Sequence, residues 1–359
     1  MQVSGLDREV AAAIEDAIAQ RLTPGAVCMI GRRDETLCHV AVGDRSLSPR
    51  RLPMMRDTVF DVASLTKVVV TTPLVMQLVG QDTLSIIDQV CRWLPEFSDG
   101  GRDRITIRHL LTHSAGLPAH RNLRSILGGS VAQADRRRKV AEVLCRLPLD
   151  YAPDTSAIYS CLGFILLGEI IEAASGRSVS YLAHKGIFQP LGMRDTGFCP
   201  DAPLADRCAA TEQLPSGTLV GVVHDENSRY LGGVSGNAGL FSTAEDLARF
   251  VRALAFGGTV LRPESVERMF AEEPERGGLR RCLGWRMANA DDPHMHGAPN
   301  VDCVGHTGYT GTSLWIHRPS GVFAILLTNR VHLGRDVEVE PLRRRVGEIV
   351  EKLIGAAAS

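Results

Sequence analysis

Phe60-Asp61-Val62-Ala63-Ser64-Leu65-Thr66-Lys67 is the stretch on which the reading of this chain turns. The chain has 359 residues and 40 lysines and arginines, of which four are lysines: Lys67, Lys139, Lys185 and Lys352. A surface ion pair accepts either residue. A proton acceptor cannot be arginine, whose guanidinium stays charged in proteins. Lys67 follows Ser64 by three residues, and no other serine in the chain has a lysine at that spacing. On a helix the spacing puts both side chains on one face, within hydrogen-bond reach. With Ser64 opening the helix, free backbone N–H groups and the positive end of the dipole surround its hydroxyl. That field, with burial among Val68, Val69 and Val70, is expected to depress the lysine pKa. The motif points to a serine nucleophile activated by lysine. Taken alone it fits equally an N-cap serine followed by a lysine that snorkels to solvent.

Around this stretch the pattern changes along the chain. Leu6 to Leu22 has helical spacing and stops at Thr23-Pro24-Gly25. Ala26 to Ile30 and Leu37 to Val42 read as strands, and Val59 to Val62 as an extended lead-in to Ser64. From Ser64 to about Gly80 a buried helix is expected, kinked by Pro73. Further helices are expected over Ile107 to His113, with Thr106 as N-cap, over Ala134 to Arg146, over Ile158 to Ala174, and after Thr243. Thr312 to His317 and Val322 to Thr328 form a hairpin pattern, and a last helix covers about Val339 to Leu353. Strands at both ends and helices between predict an α/β (α+β) fold. Its mainly antiparallel sheet is flanked by helices, with a helical domain inserted. The expected division is a sheet domain of residues 1–62 and 240–359 and a mostly helical domain of residues 63–239. Arg136-Arg137-Arg138-Lys139 reads as a solvated helix face.

Bulk properties exclude several partners. Hydrophobic residues make up 44%, ample for a large core, and the formal charge is −1. With a pI near 6.8 there is no basic field for nucleic acid, and aromatics at 5% offer little base stacking. No unbroken run of about eighteen apolar residues occurs, so no membrane span is expected. Residues 1–21 carry charges throughout and lack the apolar stretch of a secretory signal. The nine cysteines form no C-x-x-C pair and fit free thiols. The expected location is cytoplasmic. His and Cys residues show no ligand spacing, so neither a metal nor another cofactor is expected. There is no G-x-S-x-G elbow, which argues against an α/β-hydrolase.

Two further elements carry chemistry. In Tyr159-Ser160-Cys161, a phenol beside a lysine can act as general base and return the proton to a leaving group. By itself it also fits a core tyrosine that starts a helix. In His306-Thr307-Gly308-Tyr309, a glycine on an edge strand lets a substrate backbone approach, and a nearby N–H can serve an oxyanion. By itself it also fits a strand of small residues with an incidental histidine.

Taken in order, the three elements resemble those of the penicillin-recognising serine hydrolases, with S-x-x-K, a middle triad and K-T-G. The match is nearer to class C β-lactamases and their relatives, which include family VIII esterases, D-aminopeptidases and low-molecular-weight penicillin-binding proteins. The segments Phe60–Lys67, His109–Leu117, Pro190–Met193, Gly236–Thr243 and Gly305–Thr312 all resemble family segments. The resemblance implies a β-lactamase/transpeptidase-like fold. It also implies an acylated Ser64, Lys67 and Tyr159 as its base pair, and the N–H groups of Ser64 and Tyr309 as oxyanion donors. His113 and His224 lie in family segments and are expected to be structural.

Two positions depart from the family pattern. Cys161 stands where the family usually has Asn, and a thiol donates and accepts poorly. His306 stands where β-lactamases usually have Lys, so attraction for a substrate carboxylate should weaken. The expected activity is acyl-enzyme hydrolysis of carboxylic esters or small amides. The alternatives are a β-lactamase or D-Ala peptidase, a penicillin-binding sensor without turnover, and an acyltransferase. The expected partner is a small ester, amide or lactam. Cys161 as the nucleophile is disfavoured, because no histidine partner stands nearby in sequence.

Overall fold

The run Ala26–Ile30 lacks polar alternation, so its strand must be covered on both faces. A computed structural model, which describes residues 4–128, 131–288 and 302–358, shows how. The first strands are β1 Gly25–Arg32, β2 Glu35–Ser46, β3 Leu52–Pro53, β4 Phe60–Asp61, β5 Gly197–Phe198, β6 Gln213–Leu214, β7 Gly217–Thr218 and β8 Leu240–Ser242. They are followed by β9 Glu273–Arg276, β10 Leu279–Arg281, β11 Arg286–Met287, β12 Cys303–Thr307, β13 Ser313–His317 and β14 Val322–Thr328. Among the described residues the main sheet has the order β3-β2-β1-β14-β13-β12-β11-β10-β9, and its pairs are antiparallel. The two ends of the chain meet at its centre, where β1 and β14 pair from Ala26–Thr328 to Arg32–Val322. The short strands β9 to β11 extend the sheet beyond the expected hairpin.

Alternate residues serve two layers. Val27, Met29, Leu314, Ile316, Ile325 and Leu327 join a core with Val68, Val75, Phe164, Ile170, Leu247 and Phe250. Ala26, Cys28, Ile30, Trp315 and Leu326 pack instead on Val10 and Ile14 of helix Gly5–Ala19 and on Leu342, Val346 and Ile349 of helix Glu340–Ala358. The first of those helices buries Val10, Ala13, Ile14 and Ala17, one stripe of a 3.6-residue period.

Ala63–Gly80 is apolar and long enough to cross a membrane by composition, yet 78% of it is buried inside this fold. It packs as a core element. It is built from a 3₁₀ turn Ala63–Leu65, a π turn Lys67–Thr71 and an α-helix Thr72–Gly80. Pro73 was expected to kink a single helix. Instead it sits in the first turn of the α-helix, where its missing N–H costs little. The preceding Thr72 N–H reaches back five residues to the Lys67 carbonyl, which is the π pattern.

The basic run also differs from expectation. Arg138 and Lys139 pair with Glu142 on an exposed face. Arg137 crosses to Glu169 and to the Val234 carbonyl, and Arg136 donates to the Tyr230 carbonyl. Half of the run therefore fastens helix Gln133–Leu144 to its neighbours.

The smaller sheet, β4-β8-β5, sets up the serine turn. Just after β4, Ala63 has φ 48°, a left-handed conformation that L-residues resist. Asp61 holds it there. Its carboxylate accepts the Ala63 N–H at 2.9 Å and the His224 N–H at 2.7 Å. The Thr310 and Thr312 hydroxyls donate to the carbonyls of Asp61 and Val62 at 2.8 and 3.1 Å. Burial pushes the Asp61 carboxyl up to about 6, against the two N–H groups that favour its charge. The folded pKa thus exceeds the unfolded one, so proton uptake by Asp61 favours folding. That contribution is complete below about pH 4 and is lost as pH rises through about 6. Its size is on the order of 3 kcal/mol. Asp61→Asn lacks this slope. We expect wild type to gain stability relative to Asp61→Asn as pH falls from about 7 to 5, read from paired urea titrations. A difference that does not vary with pH contradicts this account.

Candidate active site

Ser64 lies in the 3₁₀ turn, and Lys67 begins the π turn that follows. The lysine is fully buried and donates to Ser64 Oγ at 3.0 Å and to the Asn237 carbonyl at 2.8 Å. Cys161 Sγ lies 3.7 Å from the same Nζ. The rings of Tyr159 and Phe164 are centred 5.1 and 5.6 Å from it. Three distant stretches of sequence, around residues 64, 160 and 237, thus converge on one amine.

The Lys67 charge differs from expectation. Burial works against the ammonium. The anionic forms of the neighbouring Cys161 and Tyr159 work for it, and the balance holds Lys67 above the ordinary lysine value. Its valine neighbours predicted the burial but not the two acidic groups delivered by another loop.

That loop is fixed by residues 113–119. Ser160 N–H donates to His113 Nδ1 at 3.1 Å, Ser160 Oγ to the Pro118 carbonyl at 2.7 Å, and Cys161 N–H to the Ala119 carbonyl at 2.9 Å. Ser160 caps helix Cys161–Ser175, so Tyr159 stays outside the helix expected from Ile158. The His113 ring packs on Tyr159 at 4.6 Å between centroids. Its structural role is to anchor the loop. Burial, followed by the charges of Arg281 and Lys67, keeps His113 well below the usual histidine range.

The last element approaches from the sheet. β12 is an inner strand between β11 and β13, not an edge. The Arg-Met strand β11 was too short to be legible. On β12 its described pairs are with Val304 and Gly305, and beyond Thr307, the last residue of β12, Gly308 turns toward β13. A side chain at Gly308 would meet the Val62 carbonyl at 2.6 Å and Ala63 Cβ at 3.4 Å, so this turn lies directly on the serine turn. The backbone N–H groups of Ser64 and Tyr309 engage no acceptor among the described residues. Tyr309 itself is exposed and stacks on His224, whose Nε2 stands 3.1 Å from Glu212.

His306 is 1% exposed, and its Nδ1 lies 2.8 Å from the Thr307 carbonyl. Nδ1 therefore carries the hydrogen. Burial, then the charges of Arg286 and Lys67, hold the ring well below the usual histidine range, so the imidazole is neutral. Sequence reasoning missed the Asn237 carbonyl and Arg286. The Gly236–Thr243 segment was noticed but given no role, because a backbone acceptor leaves no signature in residue type. Nothing in the sequence singled out one arginine among so many.

The Beta-lactamase family model matches residues 10–348 of the chain. A Bacillus subtilis (strain 168) protein named N-acetylmuramyl-L-alanine amidase is 31% identical over 358 residues, covering 90% of this chain and 81% of its own. Solved structures share the fold. EstCE1, described as a hydrolase with promiscuous acyltransferase activity, has TM-score 0.74 over 95% of this chain and 98% of its own, at 24% identity. A β-lactamase/D-alanine carboxypeptidase from Pseudomonas syringae has TM-score 0.78 over 97% and 99%, at 18% identity. With a family model spanning nearly the whole chain and a relative this similar, the chain belongs to the beta-lactamase family and is a serine hydrolase of that family.

Proposed function

We propose that this protein hydrolyses carboxylic esters or small amides through an acyl-enzyme on Ser64. The observation that carries the reading is the 3.0 Å contact of Lys67 Nζ with Ser64 Oγ, with the Tyr159 ring beside the same amine. Tyr159 and Lys67 act as one base. Between them they hold a single proton on the phenol oxygen or the amine, and the Ser64 proton completes the pair as Oγ bonds to the substrate carbonyl carbon. The backbone N–H groups of Ser64 and Tyr309 receive the oxyanion. Tyr159 hands its proton to the leaving oxygen or nitrogen as the scissile bond breaks. Water then gives a proton to the same pair and attacks the acyl carbon, and the pair returns that proton to Ser64 Oγ as the acid product departs.

Two features favour esters and small amides over β-lactams. Cys161 offers a thiol where an amide side chain would both donate and accept. His306 is neutral and brings no charge to a lactam carboxylate. The name of the B. subtilis relative, an amidase, supports the amide side of the reading.

Comparison of p-nitrophenyl butyrate with nitrocefin tests the proposal. Ester turnover is expected to dominate and to fall about a thousandfold or more in Ser64→Ala. Nitrocefin turnover far above ester turnover rejects it. Lys67→Arg, which keeps a charge but cannot yield a proton, is expected to lower kcat about 10²- to 10⁴-fold. Near-UV circular dichroism checks that the variant is folded. Cys161→Asn restores a donor and an acceptor, and the nitrocefin-to-butyrate ratio is expected to rise about tenfold. An unchanged ratio removes Cys161 from substrate choice.

A further inference from the structure

Ser64 and Tyr309, whose N–H groups are read above as oxyanion donors, are far apart in the chain, yet one carboxylate touches the support of each. Asp61 is 2% exposed. Its Oδ1 accepts the N–H of Ala63, one residue before Ser64, at 2.9 Å. Its Oδ2 accepts the His224 N–H at 2.7 Å. The His224 ring stacks on Tyr309, with centroids 5.5 Å apart and planes 24° from parallel. That histidine is itself fixed. Arg229 donates to the carbonyls of Val223 and His224 at 2.8 and 3.1 Å. His224 Nε2 stands 3.1 Å from Glu212, which Arg335 grips through two bonds of 2.7 and 2.8 Å. The Asp61 carbonyl also takes the Thr310 hydroxyl at 2.8 Å, so Tyr309 is held from the residue after it as well. An oxyanion is stabilised where both donors stand about 2.7–3.1 Å from one oxygen, and a shift of either segment loses that fit.

We propose that Asp61 is a positioning residue for oxyanion formation, its two carboxylate oxygens fixing the separation of the Ser64 and Tyr309 N–H groups. This inference rests on the reading above, in which those two groups receive the oxyanion. The contribution is spacing rather than charge, because a negative carboxylate opposes an oxyanion formed near it. Both oxygens have to accept. An asparagine at position 61 offers one oxygen, and its NH₂ then faces a backbone N–H, donor against donor. Whichever N–H loses its acceptor, one of the two segments is released. Ala63, at φ 48°, has strain to release.

The test compares p-nitrophenyl butyrate with its thiono analogue, in which sulfur replaces the carbonyl oxygen, on wild type, Asp61→Asn and His224→Ala. Sulfur is larger and a weaker acceptor, so the oxo-to-thiono ratio of kcat/KM reads the fit of the two N–H groups. Loss of folded enzyme cancels from that ratio. In Asp61→Asn the oxo ester is expected to lose about 10- to 100-fold in kcat/KM, and the ratio to fall about tenfold. His224→Ala keeps its own N–H on Asp61 but takes the ring off Tyr309, and the ratio is expected to fall about threefold. It also serves if Asp61→Asn does not fold, since an unmoved ratio there breaks the link from Asp61 to Tyr309. Equal losses on both esters overturn the proposal, as does a ratio that rises once the charge is removed. Ser64→Ala separates this inference from the reading beneath it. Turnover that survives Ser64→Ala overturns both, whereas Ser64-dependent turnover with an unmoved ratio overturns the inference alone. Phenylboronic acid reads the same donors without turnover, because its boron bonds Ser64 Oγ and leaves a hydroxyl oxygen where the oxyanion forms. Calorimetry is expected to show it bound about tenfold more weakly by Asp61→Asn, and equal affinity overturns the proposal.

Discussion

Everything at the candidate active site depends on one buried amine. Lys67 Nζ is held between Ser64 Oγ and the Asn237 carbonyl, with no exposure to solvent. A dry ammonium is tolerated only where its hydrogens find acceptors. The acceptors come from its own turn and from the Gly236–Leu240 stretch, and two acidic groups come from the Tyr159–Cys161 loop. The Thr71 hydroxyl ties the same stretch down through the Gly236 carbonyl at 2.6 Å. A side chain on Gly236 would meet the Phe164 carbonyl at 2.1 Å, so a glycine is needed for that closeness.

The serine turn is held under backbone strain, and the rest of the fold opposes its relaxation. Ala63 at positive φ points the turn toward the sheet. Asp61 clamps it from within, and Thr310 and Thr312 clamp it from the β12–β13 connection. Arg343 of the C-terminal helix holds that connection through the Gly308 and Thr312 carbonyls. The last helix is therefore mechanically coupled to the Ser64 turn, although its apolar stripe only covers the far face of the sheet.

Charge placement separates this site from one built around a lysine at position 306. Neutral His306 and charged Arg286 occupy neighbouring strands, and the guanidinium is part of the reason that the imidazole stays neutral. The charge has moved one strand across and onto the face of Tyr159.

Periodicity and local chemistry made the frame legible: the doubly buried β1, the β13–β14 hairpin, the amphipathic helices that cover them, and a serine with lysine one turn on. These follow from interactions between residues near in sequence, or from burial demands that any fold must meet. The β11 strand, the Asn237 carbonyl, the raised lysine pKa and the burial of Arg286 beside Tyr159 were settled only by tertiary structure. Each depends on groups far apart in the chain brought within a few ångströms, where desolvation makes every charge and every backbone oxygen count. A sequence records which side chains are present. It does not record which backbone atoms or distant charges will face them once water has been excluded.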